Sequence, residues 1–317
     1  MTHQVEELVA TTLRKRRKPI ADATSKHNAI LYKLREFGRM VTEDGGRHIF
    51  EPIRYGENQN FQWYRGRDAL NVAGQEVMTG AEFPWKQFAC GVSMAGDEIL
   101  MNSGQSAIIS MMKQRIKNAE DTIMNQKASA CYGDGSAFAG RAFGGLELIN
   151  GSGVGATVGG LNATLNPYWA NTVRSNGGAP TTANIYPNML SLYLLCTIGS
   201  EQPNLMMSDN SYYQVYSTSL QAQQRFMNAK MANAGFQSLM FEGTPICFDG
   251  GQDGFAPVGM HYLNMKMLSL TMHKKRNNVV LKGAAKRPIT EDSETVIIGG
   301  MGNFTVRSRR HLGRLVN

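Results

Sequence analysis

Two short motifs have the spacing of catalytic or cofactor-binding elements. Residues 91–95 read G-V-S-M-A, which matches a nucleophile elbow, where the serine of a hydrolase occupies a sharp turn between a strand and a helix. Residues 151–156 have the G-x-G-x-x-A spacing of a turn that binds the pyrophosphate of a dinucleotide. Each motif works only in a particular structural context, so the neighbouring sequence decides what it can do.

The sequence after Ser93 does not supply the rest of a hydrolase site. A nucleophile elbow leads directly into a helix and is followed by an acid and then a histidine. Gly96 and Gly104 interrupt the segment after Ser93, and the later histidines have no obvious acidic partner. A serine hydrolase using Ser93 is kept as an alternative, and we expect no catalytic residue.

The glycine motif and the histidines and cysteines do not predict a bound group either. Gly159, Gly160 and Pro167 follow the motif where a helix is required, and no acidic residue lies about twenty positions on. The six histidines lack metal-ligand spacing, and the four cysteines lie at least forty positions apart. We therefore expect no cofactor, no metal and cysteines in a reducing compartment.

Basic residues form three clusters, at 14–18, at 274–276 and between Arg307 and Arg314. Such clusters neutralise phosphates, or they are solvated surface and partners for carboxylates of neighbouring chains. No aromatic residues are interleaved with them, so we expect at most nonspecific contact with nucleic acid. The candidates for contacts with DNA or neighbouring subunits are Arg14, Lys15, Arg16, Arg17, Lys18, Arg65, Arg67, Lys274, Lys275 and Arg276.

Charge is distributed unevenly along the 317 residues. The net charge of +8 comes from the two ends, whereas residues 140–263 hold only 4 basic and 6 acidic residues. Charged groups are depleted where subunits pack together, so this charge-poor segment predicts interfaces between subunits. No stretch approaches twenty apolar residues, and the basic start does not resemble a secretion signal, so neither membrane spanning nor export is expected.

The periodicity of apolar residues predicts how the first half of the chain folds. Ile30, Leu34 and Phe37 indicate a short amphipathic helix, and residues 104–132 keep one apolar stripe over four turns of a long helix. Between them, residues 47–92 read as an extended β excursion. Its middle, residues 56–82, has too few apolar residues to fold without a neighbour.

The second half is predicted to mix helices and strands without regular alternation. Helices are expected from Pro187 through Leu195 and over about 210–234. Strands are expected at 237–241, 245–248, 262–272, 295–298 and 304–306, and 146–149 also looks like a strand. The irregular order favours an α+β fold. Trp85 and Trp169 are the candidate core anchors.

Read in order, the chain resembles the major capsid proteins of tailed bacteriophages, which have the fold first seen in phage Hong Kong 97. The motifs that carry the resemblance are F-E-P at 50–52, Y-G-E-N at 55–58, F-Q-W-Y at 61–64, A-E-F-P-W-K-Q at 81–87, Y-G-D-G at 132–135, N-P-Y-W at 166–169 and R-R-H-L-G-R at 309–314. Asn162-Ala163 replaces a common Asp-Arg pair of the family.

The resemblance implies a Hong Kong 97-like division of the chain. Its parts are an N-terminal arm and short helix at 1–46, an extended loop at 47–97, the spine helix of a peripheral domain at 98–139, an axial domain at 140–263 and a return to peripheral strands at 264–317. The spine helix and the returning strands belong to one domain. The resemblance also implies that the axial domain would meet its copies around five-fold and six-fold axes.

The function implied is structural. Hexamers and pentamers of the chain would form an icosahedral head around double-stranded DNA, with scaffold, portal and decoration proteins as further partners. The protein would lie in the virion capsid, and in the host cytoplasm during assembly. The alternatives from other classes are a basic nucleic-acid-binding protein without a shell and the serine hydrolase.

Overall fold

The computed structural model of the protein describes residues 28–101, 105–153, 155–220, 238–249, 257–281 and 293–317. The basic cluster at 14–18 and the predicted helical residues 221–234 lie outside these ranges. Within them, none of the helices is both long enough and apolar enough to cross a bilayer.

The helices follow the predicted apolar stripes closely. Predicted helix 104–132 is confirmed as α3, and α6 begins two residues before Pro187. In α1, Ile30 and Leu34 are buried on one face. The helices are α1 (Ala29–Glu36), α2 (Gly96–Met101), α3 (Gln105–Tyr132), the short turn α4 (Ala137–Gly140), α5 (Leu146–Ile149), α6 (Ile185–Cys196) and α7 (Asn210–Ser219), with a 3-10 helix at Pro167–Trp169.

Strands occupy most of the remaining regular structure. They are β1 (Met40–Glu43), β2 (His48–Arg54), β3 (Met78–Pro84), β4 (Lys86–Ala95), β5 (Thr157–Val158), β6 (Leu161–Asn162), β7 (Thr172–Ser175), β8 (Leu205–Ser208), β9 (Ser238–Phe241), β10 (Thr244–Phe248), β11 (Met260–Leu263), β12 (Leu268–His273), β13 (Val279–Val280), β14 (Ser293–Val306) and β15 (Gly313–Val316). Helices and strands do not alternate regularly along the described residues, and the predicted α+β class is confirmed.

The long strand β14 organises a five-stranded sheet that supports α3. It pairs antiparallel with β12, with β13 and with all ten residues of β4, while β1 lies parallel to β12. Ala119 and Ile123 of α3 pack on Val92 and Ile298 of this sheet. The apolar stripe of α3 is therefore what fixes the helix against the sheet.

A six-stranded sheet of order β7-β15-β11-β8-β10-β9 forms the second layer of the protein. Helices α6 and α7 pack on it, with Met189, Leu192, Tyr212 and Tyr216 in the shared core. Burial of these large side chains is the main contribution to the stability of this unit.

Strands β2 and β3 form an antiparallel hairpin, which we call the hairpin base. Residues of β2 alternate, with Ile49, Glu51 and Ile53 buried and the residues between them exposed. Ile49 and Phe83 belong to the same buried cluster as Trp169. One face of the hairpin base is thus part of the main core.

Two predicted elements differ from the structure for local reasons. The expected strand 262–272 divides into β11 and β12, because the Asn264 side chain accepts from the Lys266 amide at 3.0 Å and stabilises a turn. Residues 146–149 are helix α5 and not a strand, with the Ile149 amide donating to the Gly145 carbonyl at 3.0 Å. A short apolar run does not distinguish these two possibilities.

The strands expected at 295–298 and 304–306 are one continuous strand, β14. The glycines between them make room for neighbouring side chains instead of ending the strand. A Cβ at Gly300 would lie 2.2 Å from the Phe88 ring, and one at Gly302 would lie 2.5 Å from the Met272 sulfur.

The expectation for 264–317 also needs a correction at its end. Strands β12, β13 and β14 lie in the five-stranded sheet beside α3, but β15 inserts between β7 and β11 of the six-stranded sheet. The physical reason is a buried hydrophobic site: Leu315 belongs to the core under α6 and α7.

Candidate assembly surface

The segment between β2 and β3, residues 55–77, exposes large apolar side chains. We call it the hairpin tip. Trp63 is 92% exposed and Val72 is 87% exposed, and the Phe61 ring lies edge-on to Trp63, at 5.5 Å between centroids. An apolar surface of this kind on a soluble protein marks an interaction site.

The two limbs of the hairpin tip are joined by amide side chains. Asn60 Nδ2 donates to the Ala73 carbonyl at 2.6 Å, and Gln75 Nε2 donates to Asn60 Oδ1 at 3.0 Å. Gln62 Nε2 reaches the Ala69 carbonyl at 2.9 Å. These hydrogen bonds give the tip a defined shape although it has no core of its own.

The hairpin base is held by buried polar contacts. Glu51 is 4% exposed, and its two carboxylate oxygens accept from Arg307 Nε at 2.8 Å and from Thr305 Oγ1 at 3.1 Å. The Glu82 amide donates to the Gly159 carbonyl at 3.0 Å. The hairpin is therefore fixed at its base and projects its tip away from the core.

A second apolar surface lies on α6. No residue of this helix is charged, and Tyr186, Leu194 and Leu195 are exposed while its other face is buried in the core. A helix that is apolar all round is expected to be covered on all sides. The surrounding segment is charge-poor in the sequence, but no local pattern distinguishes these three side chains from the other apolar residues of the helix.

The basic candidates in the described ranges lie in two separate segments of the chain. Arg65 and Arg67 are exposed on the hairpin tip. Lys275 is exposed after β12, where Lys274 Nζ pairs with Asp44 at 3.2 Å and Arg276 Nη1 donates to Gln87 Oε1 at 3.2 Å. The five candidates at 14–18 lie outside the described residues.

Two arginines of the last basic cluster are interior residues. Arg309 is fully buried and donates to the Ile149 carbonyl at 2.7 Å, the Ala156 carbonyl at 3.2 Å and Asn171 Oδ1 at 2.9 Å. Burial lowers the pKa of its guanidinium to about 10. Arg309 is thus a structural cross-link and not a phosphate-binding residue.

Arg314 and His261 complete this buried polar cluster. Arg314 makes a bidentate pair with Glu147, with both N–O distances 2.7 Å. His261 is fully buried beside it, and its Nδ1 lies 3.2 Å from Asn150 Nδ2. Burial, reinforced by the charge of Arg314, lowers the pKa of His261 to about 3, so the imidazole is neutral.

The two candidate anchors differ in depth. Trp169 is fully buried, and its indole Nε1 donates to the Val158 carbonyl at 3.0 Å. Trp85 is half-buried; its Nε1 donates to the Gly46 carbonyl at 3.0 Å, and its ring lies edge-on to His273 at 5.6 Å. Trp169 lies inside the core and Trp85 at its margin.

The two chemical motifs have no site around them in the described part of the chain. Ser93 lies within the regular ladder of β4, opposite Thr295, and is exposed. The glycine motif precedes the β5–β6 hairpin and not a helix. No group of three or more His, Cys, Asp or Glu side chains in the described ranges is placed to hold a metal ion.

Comparison with known proteins finds similarity in structure alone. No family model and no curated protein matches the chain. Among solved structures, the capsid of cyanophage A-1(L) is 16% identical with a TM-score of 0.64, covering 98% of this chain and 99% of that chain.

Two further structures extend the comparison. The capsid of a native GTA particle is 10% identical with a TM-score of 0.59, covering 95% of this chain and 93% of that one. The holo-SrpI encapsulin complex of Synechococcus elongatus is 10% identical with a TM-score of 0.56, covering 98% and 94%. From its first helix to its last strand, the chain therefore has the fold of phage capsid proteins.

Proposed function

We propose that this chain is the major capsid protein of a tailed bacteriophage, assembling as hexamers and pentamers into an icosahedral head around double-stranded DNA. The observation that carries the proposal is the match of nearly the whole chain to nearly the whole of a capsid subunit. The apolar hairpin tip and the exposed face of α6 support it, because a monomer leaves both uncovered.

We assign structural roles to the segments of the chain according to the Hong Kong 97-like pattern. Residues 1–46 act as an arm with a short helix, 47–97 as a loop that lies over an adjacent subunit, and α3 within 98–139 as the spine of the peripheral domain. Residues 140–263 form the axial domain that meets its copies around the symmetry axes. Residues 264–317 return to the peripheral sheet, except that β15 completes the axial one.

The proposal that the shell encloses DNA rests on the net charge of the chain. The fold also occurs in an encapsulin complex, so the fold by itself supports a shell and does not specify what it encloses. The net charge of +8, carried by the ends of the chain, favours nonspecific contact with a polyanion such as DNA. Scaffold, portal and decoration proteins are further proposed partners, in the host cytoplasm during assembly and then in the virion.

The alternatives predict different behaviour. A basic nucleic-acid-binding protein without a shell sediments as a small species and binds DNA with strong salt dependence. A hydrolase using Ser93 would need an acid and a histidine near its hydroxyl, and Ser93 lies on the five-stranded sheet whereas His261 lies buried in the other. Neither alternative is favoured by a contact in the described residues.

The test is the assembly state of the purified protein, examined by sedimentation and electron microscopy. We expect closed shells with five-fold and six-fold capsomers. A protein that stays monomeric under all conditions, including co-expression with the proposed scaffold and portal proteins, would contradict the proposal.

A matched variant separates folding from assembly. The amides of Tyr55 and Gly56 donate to the Val77 carbonyl at 3.1 and 3.4 Å, so the two limbs are adjacent where the tip begins. Replacing residues 57–75 by an Asn-Gly turn therefore removes the tip without straining the base. We expect a folded subunit that forms no shells; closed shells from this variant would show that the tip is not an assembly element.

A further inference from the structure

A pocket that is separate from the hairpin tip and from the exposed face of α6 lies between β4, α3 and the turn α4. Its volume is about 340 Å³, and its walls are mainly apolar, formed by side chains such as Phe88, Ile123 and Phe143. Two cationic side chains, Lys127 and Arg141, also line it, and none of the lining residues is acidic. Pockets of this size and composition commonly hold a small ligand or one anchoring side chain.

Lys127 is the unusual member of this lining. It is only 5% exposed, its Nζ donates to Asn278 Oδ1 at 2.6 Å, and the same nitrogen lies 4.5 Å from the centroid of the Phe88 ring. It forms no ion pair with any residue in the described ranges. Burial lowers its pKa to about 8.

These contacts leave the charge of Lys127 incompletely compensated. A neutral amide oxygen and an aromatic face stabilise an ammonium less than a carboxylate does. A buried cation without a counter-ion is costly, so an anion that enters the pocket gains a strong partner. The electrostatics of the pocket therefore favour an anionic ligand, and its walls favour one with an apolar body.

The rim of the pocket adds an apolar contact. Phe138 is 75% exposed, and both Phe138 and Ala139 have left-handed backbone, with φ of 54° and 56°. An exposed phenylalanine in this conformation is uncommon. It places an aromatic side chain at the mouth of the pocket, where it can cover the apolar part of a bound molecule.

We propose that this pocket binds a carboxylate attached to an aromatic or aliphatic group, with the carboxylate at Lys127 and the apolar group against Phe88, Ile123 and Phe143. A phosphate is a poorer fit, because phosphate sites usually combine several donors, and apart from Lys127 and Arg141 the walls of this pocket are mainly apolar. The shared chemistry occurs in a free organic acid and at the carboxyl terminus of a peptide. The proposal does not depend on shell formation.

The first experiment compares two probes of matched shape. Phenylpropionate carries the carboxylate and phenylpropanol is its neutral analogue; binding of each to the purified protein is followed by ligand-detected NMR and calorimetry. We expect a dissociation constant of about 1 mM for phenylpropionate, as for a ligand of this size, and at least about tenfold weaker binding of phenylpropanol. Equal binding of the two probes would overturn the proposal.

Variants assign the effect to one residue. Lys127→Met keeps the length of the side chain and removes the charge, and we expect it to weaken phenylpropionate binding about tenfold or more while leaving phenylpropanol binding unchanged. Lys117→Met is the matched control, because Lys117 lies on the same helix and is exposed. Loss of binding in both variants, or in neither, would contradict the assignment.

The pH dependence of binding gives a readout that a purely structural role would not produce, and it uses the unmodified protein. Binding requires the protonated amine, so affinity should be constant below about pH 8 and fall up to about tenfold per pH unit above it. Among the described residues, Arg141 and Cys90 line the same pocket and Cys131 acts electrostatically on the amine; burial raises the pKa of Cys131 to about 12. A flat profile between pH 7 and 9.5 would overturn the role of Lys127 even if Lys127→Met failed to fold.

A third probe molecule distinguishes a free organic acid from the carboxyl terminus of a peptide as the natural ligand. The tripeptide acetyl-Ala-Ala-Phe presents the same phenyl and carboxylate groups at the end of a peptide chain. Binding at least about tenfold tighter than phenylpropionate would assign the site to a peptide terminus, and equal or weaker binding would assign it to a free acid. Both results support the pocket chemistry, which the neutral probe and Lys127→Met test separately.

Discussion

The tip of the hairpin and the core beneath its base contain similar residue types in opposite environments. Trp63 in the tip is 92% exposed, whereas Trp169, which packs with the base, is fully buried. The base is bonded to β14 through Glu51, whereas Asn and Gln side chains join the two limbs of the tip to each other and Tyr55, where the tip begins, stacks on Tyr168. One continuous hairpin thus separates the residues that stabilise the subunit from those that can contact another subunit.

The largest expected effect concerns the core that supports the base. Trp169→Ala should reduce the free energy of unfolding by about 3–5 kcal/mol, because it removes a large buried side chain and leaves a cavity. The measurement is chemical or thermal denaturation of the purified subunit. A variant as stable as the parent protein would show that Trp169 does not stabilise the subunit and that the contrast with the tip is wrong.

The buried arginine gives the next largest effect. Arg309→Ala removes the donor to the Ile149 carbonyl and to Asn171 Oδ1 and one of the two donors to the Ala156 carbonyl, and we expect a loss of about 2–4 kcal/mol. The neighbouring Arg310 is exposed, so Arg310→Ala should change stability by less than about 0.5 kcal/mol. If the two variants melted at the same temperature, the interior role of Arg309 would be wrong.

Acid should weaken the same cluster through His261. Its folded pKa of about 3 lies below the ordinary value, so the stability it contributes is present above about pH 6.5 and is lost as the pH falls towards 3. From pH 7.5 to pH 5 we expect a loss of about 2 kcal/mol from this group. His261→Gln should show a correspondingly smaller difference in stability between these two pH values; an equal difference would mean that other groups cause it.

The smallest effect on stability should come from the tip. Trp63→Ala removes no core contact, so the free energy of unfolding should stay within about 0.5 kcal/mol of the parent value. Exposed tryptophans that become buried between subunits are often the strongest contributors to association, so the yield of closed shells should fall sharply. Trp63→Phe is the conservative control, and normal shell yield from both variants would show that the tip does not drive assembly.

Local sequence patterns predicted the elements whose stability is local. The apolar stripe of α3 and the sparse apolar content of 56–82 each depend on the residues of one segment alone. The sequence therefore predicted both the helix and the absence of a core in the tip. The sequence indicated the exposed face of α6 only through the low charge of the surrounding segment. Its position became clear only when the structure showed which side of the helix the core covers.

Features that depend on distant partners were not predicted. Arg309 and Arg310 are adjacent and chemically identical in the sequence, and they differ only because Ile149, Ala156 and Asn171 meet the first of them. The pairing of β15 with β7 and β11 likewise joins residues far apart in the chain. Lys127 and Asn278 are separated by 151 positions, so no local pattern predicts their contact.

The place of β15 inside the six-stranded sheet has a consequence for synthesis of the chain. Its neighbours β7 and β11 cannot be bridged until the segment that holds residues 313–316 has left the ribosome. Until then β7 lacks its strand partner, and the core under α6 lacks Leu315. Contacts this distant in sequence form late, so a prematurely terminated chain cannot complete this layer and is left to chaperones and proteases.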